Sequence, residues 1–213
     1  MARIVVLGGT GYAGRHIVSE AVSRGHDVVA VSRSAPADPV DGAAYVQGSA
    51  LDVDSLAGAV DGADAVVFAL SPRGDMADAQ IDALRGVAAH LTGTATRLGV
   101  IGGAMGSLSA PGGPRLWDLG VPEEYRHEAQ VGMDTLELLQ QADAGLDWFL
   151  VHPPQEFGSW VEGERTGSYR DGGDVVVRDE SGKSYISGAD FAVAFVDEIE
   201  QGNHRRERFT VGY

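Results

Sequence analysis

Four glycines near the N-terminus are spaced as a phosphate-binding turn requires. The stretch VVLGGTGYAG contains Gly9, Gly11 and Gly14 in the pattern Gly-x-Gly-x-x-Gly, and counting from Gly8 gives a second register of the same use. Such glycines permit a tight turn, close approach of the backbone to a pyrophosphate, and close packing of strand and helix. The N–H groups at the start of that helix favour an anion. The pattern predicts a dinucleotide site; an ordinary glycine-rich turn without a ligand is the alternative.

A basic residue stands where the choice between two dinucleotides is made. About 20 residues beyond the glycines, an acidic side chain would bind a free ribose 2′-hydroxyl, whereas an arginine accommodates a 2′-phosphate. Arg33 lies nineteen positions after Gly14 and is flanked by Ser32 and Ser34. Its guanidinium and the two hydroxyl groups suit a phosphate. This pattern favours NADP(H) over NAD(H), and a solvated arginine is the alternative.

Alternating strands and helices must position these residues. Short apolar, β-rich runs predict strands, and longer amphipathic segments predict helices. The predicted strands are 4–7, 28–31, 44–46, 64–69, 98–101 and 147–151, and the predicted helices are 12–23, 53–60, 75–90 and 122–141. Strands separated by helices imply a parallel sheet covered on both faces. The predicted fold class is α/β, a Rossmann-type doubly wound parallel sheet in a single domain over residues 1–213.

The segment after residue 151 differs from the preceding chain in its composition. Residues 152–173 are rich in proline, glycine and charge, and they show little periodicity. Short strands are predicted at 175–177 and 184–186, followed by a helix at 189–200 and a last strand near Phe209. This segment is too small for a separate core. Residues 152–187 are therefore predicted to form a small cap on the substrate side, over the carboxyl edge of the sheet where open α/β sheets bind ligands.

Composition excludes several functional classes. Sixteen Lys and Arg stand against 31 Asp and Glu, and the resulting net charge of −15 argues against a nucleic-acid partner. Cysteine is absent, which excludes disulfides and thiolate chemistry, and the histidines lack the spacing of a metal site. No apolar stretch is long enough to span a membrane, and no signal-peptide core follows Met1. We expect a cytoplasmic protein without a membrane partner; the sequence does not indicate the oligomeric state.

Further motifs are spread over nearly the whole chain. They read VSRS at 31–34, VIGGAMGSL at 100–108, HPPQEFGSW at 152–160, ERTGSYR at 164–170 and ISGADFAVAFVDEIE at 186–200. Together with VVLGGTGYAG they resemble the atypical short-chain dehydrogenases. The branch they are most similar to is that of the NADH-flavin reductase-like proteins, which is related to NmrA-like proteins and biliverdin reductase B. The resemblance implies the same Rossmann-type fold and a nicotinamide cofactor.

The resemblance also implies a set of cofactor contacts. The pyrophosphate would touch Gly8, Thr10, Gly11, Tyr12 and Ala13, and the 2′-phosphate would touch Arg33. Ala69 and Leu70 would border the adenosine ribose, and Gly102, Gly103, Pro153, Pro154 and Phe157 would surround the nicotinamide. One position departs from the family pattern, because Ser49 stands where relatives carry an aspartate near the adenine. The resemblance therefore leaves the adenine contacts open.

The usual acid of the short-chain dehydrogenases is missing. These enzymes rely on a Tyr-x-x-x-Lys pair, in which the lysine lowers the pKa of the tyrosine for proton transfer. None of the tyrosines here has a lysine four positions later. The catalytic candidates are Ser107, in the region where these enzymes place a serine near the substrate, and His152, at the end of the sixth predicted strand. A structural role is the alternative for His152.

A flat acceptor removes the need for a side-chain acid. Hydride transfer to a flavin can take its proton from water, so proximity and stacking suffice. Phe157 and Trp160 could build the apolar mouth that such a small-molecule acceptor needs, with plain packing as the alternative. We predict an NADPH-dependent reductase that passes hydride to free flavin or a similar flat acceptor. A non-catalytic NADP(H)-binding redox-sensing regulator, as among NmrA-like proteins, is the second hypothesis, and a sugar-nucleotide epimerase or dehydratase-like enzyme is the third.

Overall fold

A single sheet organises the chain. The computed structural model describes residues 1–161 and 163–213, and within these residues the strands are β1 Arg3–Leu7, β2 Asp27–Ser32, β3 Ala44–Gln47, β4 Ala65–Phe68, β5 Arg97–Ile101, β6 Trp148–His152, β7 Arg170–Asp171 and β8 Glu207–Gly212. Their order across the sheet is β3-β2-β1-β4-β5-β6-β8-β7. All neighbouring pairs are parallel except β7 with β8. The direction of winding therefore reverses between β1 and β4.

Helices cover both faces of the sheet. They are α1 Tyr12–Ser23, α2 Ala57–Val60, α3 Gln80–Leu91, α4 Arg126–Gln140 and α5 Gly188–Gln201. Short 3-10 turns lie at Asp54–Leu56, Gly74–Met76, Ala104–Gly106, Leu116–Leu119 and Glu123–Tyr125. Helices α1 and α5 pack together on one face, whereas α2, α3 and α4 contribute to the core on the other.

The alternation of side chains along β1 explains this arrangement. Ile4 and Val6 join the core beneath α1 and α5, and Val5 and Leu7 join the core beneath α2, α3 and α4. All four side chains are fully buried. A strand buried on both faces needs the continuous apolar run that the sequence supplies. The predicted doubly wound Rossmann-type fold is confirmed.

Helix α1 has the predicted bounds, whereas α2, α3 and α4 are shorter than predicted. The segment predicted as a helix at 53–60 is a 3-10 turn followed by α2. The helix predicted at 75–90 begins only at Gln80, where the buried side-chain amide donates to the main-chain oxygen of Leu70 and fixes the entry of the chain. The helix predicted at 122–141 begins at Arg126, after a 3-10 turn.

The short strands predicted at 175–177 and 184–186 are wrong. Each segment makes only an isolated bridge, Val175 with Leu108 and Tyr185 with Glu156. The apolar side chain of Val177 is buried because it packs against Gly172 and Gly212, and it does not belong to a strand of the sheet. The edge strand of the sheet is instead β7, which the sequence patterns did not predict.

The position of a binding crevice follows from the strand order. In open α/β sheets, ligands lie beyond the carboxyl ends of the strands at the point where the winding reverses. Here that point lies between β1 and β4. The segments that follow β1, β2, β4, β5 and β6 all emerge at this edge, because these strands are parallel.

Candidate active site

The turn between β1 and α1 holds three glycines that the protein's own packing requires. Gly8 has a φ of 88°, and a Cβ there would lie 2.7 Å from the main-chain oxygen of Ala69. A Cβ on Gly9 would lie 2.7 Å from the Cβ of Ala30 in β2, and a Cβ on Gly14 would collide with the main chain of Gly8. These contacts draw the turn tightly between β2 and β4.

Gly11 differs from these glycines because little of the protein surrounds it. In the part of the chain that the structure describes, a Cβ on Gly11 would have one neighbour within 4 Å, the main-chain oxygen of Gly8 at 3.3 Å. Its φ of −72° and ψ of 171° are open to other residues. Backbone strain does not call for glycine at this position, and the single tight contact with Gly8 restricts a side chain less than the contacts at Gly8, Gly9 and Gly14 do. The open space beside Gly11 fits a bound ligand.

The start of α1 is free to bind an anion. Gly11 is its N-cap and offers no side-chain acceptor, and the first turn of the helix carries no acidic residue. The N–H groups of Tyr12, Ala13 and Gly14 therefore have no partner within the helix, and the positive end of the helix dipole lies with them. Thr10 is exposed beside them. These features, with the space at Gly11, fit the pyrophosphate of a nicotinamide dinucleotide.

The first residues after β4 border the same turn. A Cβ on Gly8 would lie 2.9 Å from Cδ2 of Leu70, and the N–H of Ala69 donates to the oxygen of Leu7 at 2.9 Å. The Nε2 of Gln80 donates to the oxygen of Leu70 at 2.9 Å and holds this segment in place. The structure thus brings together Gly8, Ala69 and Leu70, which the sequence analysis assigned to neighbouring parts of the cofactor.

Arg33 follows β2 and turns toward the segment after β4. Its side chain is 57% exposed, and Nη1 lies 3.0 Å from a carboxylate oxygen of Asp75. The hydroxyl of Ser32 donates to the oxygen of Ser34 at 2.7 Å, so it is used locally. The amide of Gln47 donates to the main-chain oxygen of Arg33 at 2.8 Å. The sequence analysis did not foresee Asp75, which is 42 positions away from its partner.

His152 lies inside the protein at the end of β6. It is 0% exposed, and its Nδ1 lies 2.7 Å from the oxygen of Gly103, an acceptor to which it must donate. A Cβ on Gly106 would lie 2.5 Å from Cε1 of His152, and one on Gly102 would lie 3.0 Å from Nδ1. The ring therefore fills the space left by the glycines that follow β5. Its Nε2 is buried and has no partner among residues 1–161 and 163–213.

The surroundings of His152 keep the ring neutral. Burial lowers its pKa to about 3, and the nearby Arg208 and Arg115 act in the same direction, while the hydrogen bond to Gly103 opposes them. The neutral ring carries its one proton on Nδ1, where it is donated to the oxygen of Gly103, so the buried Nε2 has no proton to give to a substrate at neutral pH. The geometry argues against the predicted role as proton donor and fits the structural alternative.

Ser107 is also enclosed, in the turn that follows β5. It is 1% exposed. Its N–H donates to the oxygen of Ala104 at 3.1 Å, and its oxygen accepts from the N–H of Leu116 at 2.9 Å. These bonds join two 3-10 turns next to the ring of His152. The structure brings the two catalytic candidates into one buried neighbourhood rather than into the open crevice.

The cap reaches the start of α1 through an aromatic contact. Pro153 and Pro154 are buried, and Phe157 is half-buried beyond them. The ring of Phe157 meets that of Tyr12 edge-on, with centroids 5.4 Å apart, and lies 4.5 Å from the ring of Phe191 in α5. Burial raises the pKa of Tyr12, which keeps its hydroxyl protonated. Phe157 therefore links the cap to the turn of the predicted pyrophosphate site.

Three segments meet around Trp160 at the mouth of the crevice. Trp160 is 62% exposed, and its ring rests against Gly158. The Cζ of Arg73, from the segment after β4, lies 5.8 Å from the ring centroid. Arg73 donates through Nε and Nη2 to both carboxylate oxygens of Glu128 in α4, at 3.1 and 3.0 Å. The sequence analysis missed Arg73 and Glu128, since no local spacing connects residues 55 positions apart.

Comparison with known proteins identifies the family. The sequence profile of the family described as NAD(P)H-binding matches residues 8–201, from the glycine turn to the end of α5. The chain belongs to this NAD(P)H-binding family. The match confirms the predicted nicotinamide cofactor at the level of NAD(P)H, without distinguishing NADP(H) from NAD(H), and it agrees with the resemblance to atypical short-chain dehydrogenases.

Relatives of similar length share the whole architecture. The uncharacterised protein YwnB of Bacillus subtilis (strain 168) is 36% identical over 213 residues, which is 98% of this chain and 97% of its own length. A candidate NADH-flavin reductase of Streptococcus pneumoniae TIGR4 is 32% identical with a TM-score of 0.87, covering 100% of this chain and 99% of that one. A candidate epimerase of Bacteroides thetaiotaomicron is 31% identical with a TM-score of 0.86, covering 100% and 97%.

Location, partners and metal binding are predicted from the sequence alone. Among the described residues, none of the helices has the length and apolar character needed to cross a bilayer. The cytoplasmic location and the absence of nucleic-acid and membrane partners stay predictions. So does the absence of a metal site, although no group of three or more His, Asp or Glu side chains in residues 1–161 and 163–213 is arranged to hold one.

Proposed function

We propose that this protein is an NADPH-dependent reductase that passes hydride to a free flavin or a similar flat acceptor. The bound dinucleotide would supply the hydride. The start of α1 would hold its pyrophosphate through main-chain N–H groups. The residues proposed for this contact are Gly8, Thr10, Gly11, Tyr12 and Ala13.

The remaining cofactor contacts follow the same edge of the sheet. Arg33 would bind the ribose 2′-phosphate, because its exposed guanidinium follows β2 at the position where dinucleotide-binding folds read this group. Ala69 and Leu70 would border the adenosine ribose. Gly102, Gly103, Pro153, Pro154 and Phe157 would surround the nicotinamide.

The exposure of the Trp160 ring is the observation that best supports a flat acceptor. A tryptophan left 62% exposed beside a crevice, and supported by Gly158 and Arg73, offers a plane on which a second ring system can stack. A flavin needs this positioning more than it needs a proton donor, because its remaining proton can come from water. The mouth around Trp160 would hold the acceptor ring against the nicotinamide.

The basic side chains support a reaction without a dedicated acid. The chain has one lysine, Lys183, and its ammonium lies 3.2 Å from a carboxylate oxygen of Glu156 and 4.5 Å from the ring centroid of Tyr185. It is engaged within the cap. Among the described residues, His152 is buried and neutral and Lys183 is paired, which favours a flavin-like acceptor over a carbonyl that needs one of them as its acid.

Steady-state oxidation of NADPH with FMN, FAD or riboflavin, followed by the loss of nicotinamide absorbance, tests this function. Turnover with one of the flavins is the expected result. Tight NADPH binding without turnover would replace the proposal with the redox-sensing regulator. Activity on a sugar nucleotide without net oxidation of cofactor would replace it with the epimerase-like enzyme.

The choice of cofactor has its own test. We expect NADPH to bind at least about tenfold more tightly than NADH, which requires about 1.4 kcal/mol and lies within reach of one charge-assisted phosphate contact. Arg33→Asp should reverse the order. Fluorescence titration measures both affinities, and equal affinities in the unaltered protein would remove NADP(H) from the proposal.

A further inference from the structure

An ion pair spans the crevice above the glycine turn. Arg33 follows β2, and Asp75 lies in the 3-10 turn Gly74–Met76 that follows β4. Strands β2 and β4 are the two parallel neighbours of β1, so their carboxyl ends flank the point where β1 leads into the glycine turn. The contact of 3.0 Å between the two side chains therefore crosses the crevice on its adenosine side.

Packing does not hold this pair in place. The side chain of Arg33 is 57% exposed and that of Asp75 is 87% exposed. An exposed ion pair of this kind contributes little to the stability of the fold, because water screens it and two long side chains lose freedom. A ligand that offers Arg33 a stronger anion can therefore displace the carboxylate at small cost.

We infer that Asp75 is a specificity-determining residue, an internal counter-ion that competes with the ribose 2′-phosphate for Arg33. This inference rests on the proposed preference for NADP(H). A phosphate that reaches Arg33 must take the place of the carboxylate or lie close to it, and two anions near one guanidinium repel each other. NADH carries no 2′-phosphate, so it meets no such competition. Asp75 thereby reduces the preference for NADPH over NADH that Arg33 alone would produce.

Asp75→Asn tests this competition. We expect the Kd for NADPH to fall by roughly threefold to tenfold, because loss of an exposed ion pair corresponds to about fivefold at most and the removal of a repelling carboxylate adds to it. The Kd for NADH should change by less than about twofold. Fluorescence titration of both nucleotides, without any acceptor, gives the two constants independently of turnover.

Asp78→Asn is the matched control. Asp78 lies in the same segment, its side chain is 94% exposed, and its basic neighbour is His127 at 3.6 Å rather than Arg33. The substitution removes the same charge from a protein of net charge −15, so it reports the long-range effect alone. It should leave the ratio of the two Kd values unchanged. Asp75→Glu, which keeps the carboxylate, should also keep the original ratio.

Arg33→Gln separates a failure of the inference from a failure of the proposed cofactor. If Arg33→Gln weakens NADPH alone while Asp75→Asn leaves the ratio of Kd values within twofold of the original, the counter-ion role is wrong and NADP(H) stands. If the unaltered protein binds both nucleotides equally, the proposed cofactor itself is wrong. If Asp75→Asn and Asp78→Asn tighten NADPH equally, overall charge explains the effect and the inference is overturned.

Discussion

The glycine turn and the cap after β6 are held together in opposite ways. In the turn, the N–H of Gly11 donates to the oxygen of Gly8 at 3.0 Å, and the N–H of Arg15 donates to the oxygen of Gly11 at 2.8 Å. In the cap, Arg165 donates to Glu20, which lies 145 positions away. The turn packs against segments that lie within the first 70 residues, whereas the cap is joined to α1, 145 positions away.

A buried carboxylate of α5 anchors the cap. Asp190 is 0% exposed, and its carboxylate accepts from the N–H and hydroxyl of Thr166, from the N–H of Gly167 and from the hydroxyl of Tyr213. Burial alone would raise the pKa of Asp190, but these hydrogen bonds outweigh it and keep the pKa below its usual value. The N-cap of α5 is Ser187, whose hydroxyl accepts from the N–H of Asp190. The cap thus depends on a network of side-chain hydrogen bonds, whereas the glycine turn depends on close packing of its main chain.

Gly11→Val should have the largest effect, because it alters the glycine turn. The affinity for NADPH should fall by at least about a hundredfold, or about 2.7 kcal/mol, since a branched side chain would fill the space beside the helix start where the pyrophosphate is proposed to lie. The fold should survive, since the backbone conformation at Gly11 suits any residue. Fluorescence titration and thermal unfolding measure the two properties.

Gly58→Val is the matched control for this substitution. A Cβ on Gly58, in α2, would have no neighbour within 4 Å among the described residues, so the same bulk is added at a site distant from the crevice. The affinity for NADPH should be retained. A folded Gly11→Val variant that still bound NADPH normally would contradict the assignment of the turn as a cofactor site.

His152 joins the sheet to the cap, and it should impose a pH dependence on stability. Its pKa of about 3 in the folded protein lies below the ordinary value of 6.5, so the unfolded chain binds a proton that the folded protein excludes. This contribution to stability is complete above about pH 6.5 and is lost as the pH falls toward 3. Between pH 7 and 5 it amounts to about 2 kcal/mol.

Denaturant unfolding at pH 7 and pH 5 measures this contribution. His152→Asn keeps a donor for the oxygen of Gly103 but does not titrate in this range. The variant should start less stable at pH 7, because the smaller side chain leaves a cavity, and should then lose about 2 kcal/mol less than the unaltered protein on acidification. Equal losses in both proteins would show that His152 is not a neutral buried group.

Trp160→Ala is the smallest expected effect, and it concerns the acceptor. The KM for flavin should rise about fivefold, while kcat and the affinity for NADPH stay within about twofold, since the ring positions the acceptor without taking part in proton transfer. Tyr125→Ala is the matched control, because Tyr125 is also an exposed aromatic, at 60%, but lies before α4. The KM of the Tyr125→Ala variant for flavin should stay within about twofold of the value for the unaltered protein.

The same kinetics distinguish a flavin from a carbonyl acceptor. General acid catalysis contributes about a hundredfold or more, so its loss would be conspicuous. Substitution of Tyr125, His127 or His152 should lower flavin-dependent turnover by no more than about tenfold. A loss of kcat above a hundredfold in His152→Asn, with NADPH binding retained, would indicate a carbonyl substrate and a direct role for the imidazole.

The difference between the two regions also explains what the sequence could predict. The spacing of Gly8, Gly9 and Gly14 predicts a tight turn because their close contacts, with β1, with β2, with the end of β4 or with one another, all lie within the first 70 residues. The isolated bridge between Val175 and Leu108 connects residues 67 positions apart in the chain, and its apolar stretch gives the same local pattern as a strand. Periodicity records burial, and it does not record which distant segment provides it.

The residues of the candidate site also differ in how far the sequence could predict them. Arg33 was identifiable because its position relative to Gly14 is fixed by one βαβ unit. Asp75 and Glu128 could not be assigned, because their partners Arg33 and Arg73 lie 42 and 55 positions away. His152 attracted a catalytic prediction from its place at a strand end, whereas its environment depends on the glycines at 102 and 106, whose packing only the structure reveals.

The pairing of α1 with α5 has a consequence for the order in which the chain is made. The apolar side of α1, formed by Ile17, Val18 and Ala21, belongs to the core that α5 completes, and the buried Glu20 beside it is paired with Arg165 as well as Arg24. Residues 188–201 leave the ribosome last of the helices. Until they do, the helix whose start is proposed to bind the pyrophosphate has an uncovered apolar side. A nascent chain halted before α5 would expose this surface to chaperones and proteases, although its glycine turn is already complete.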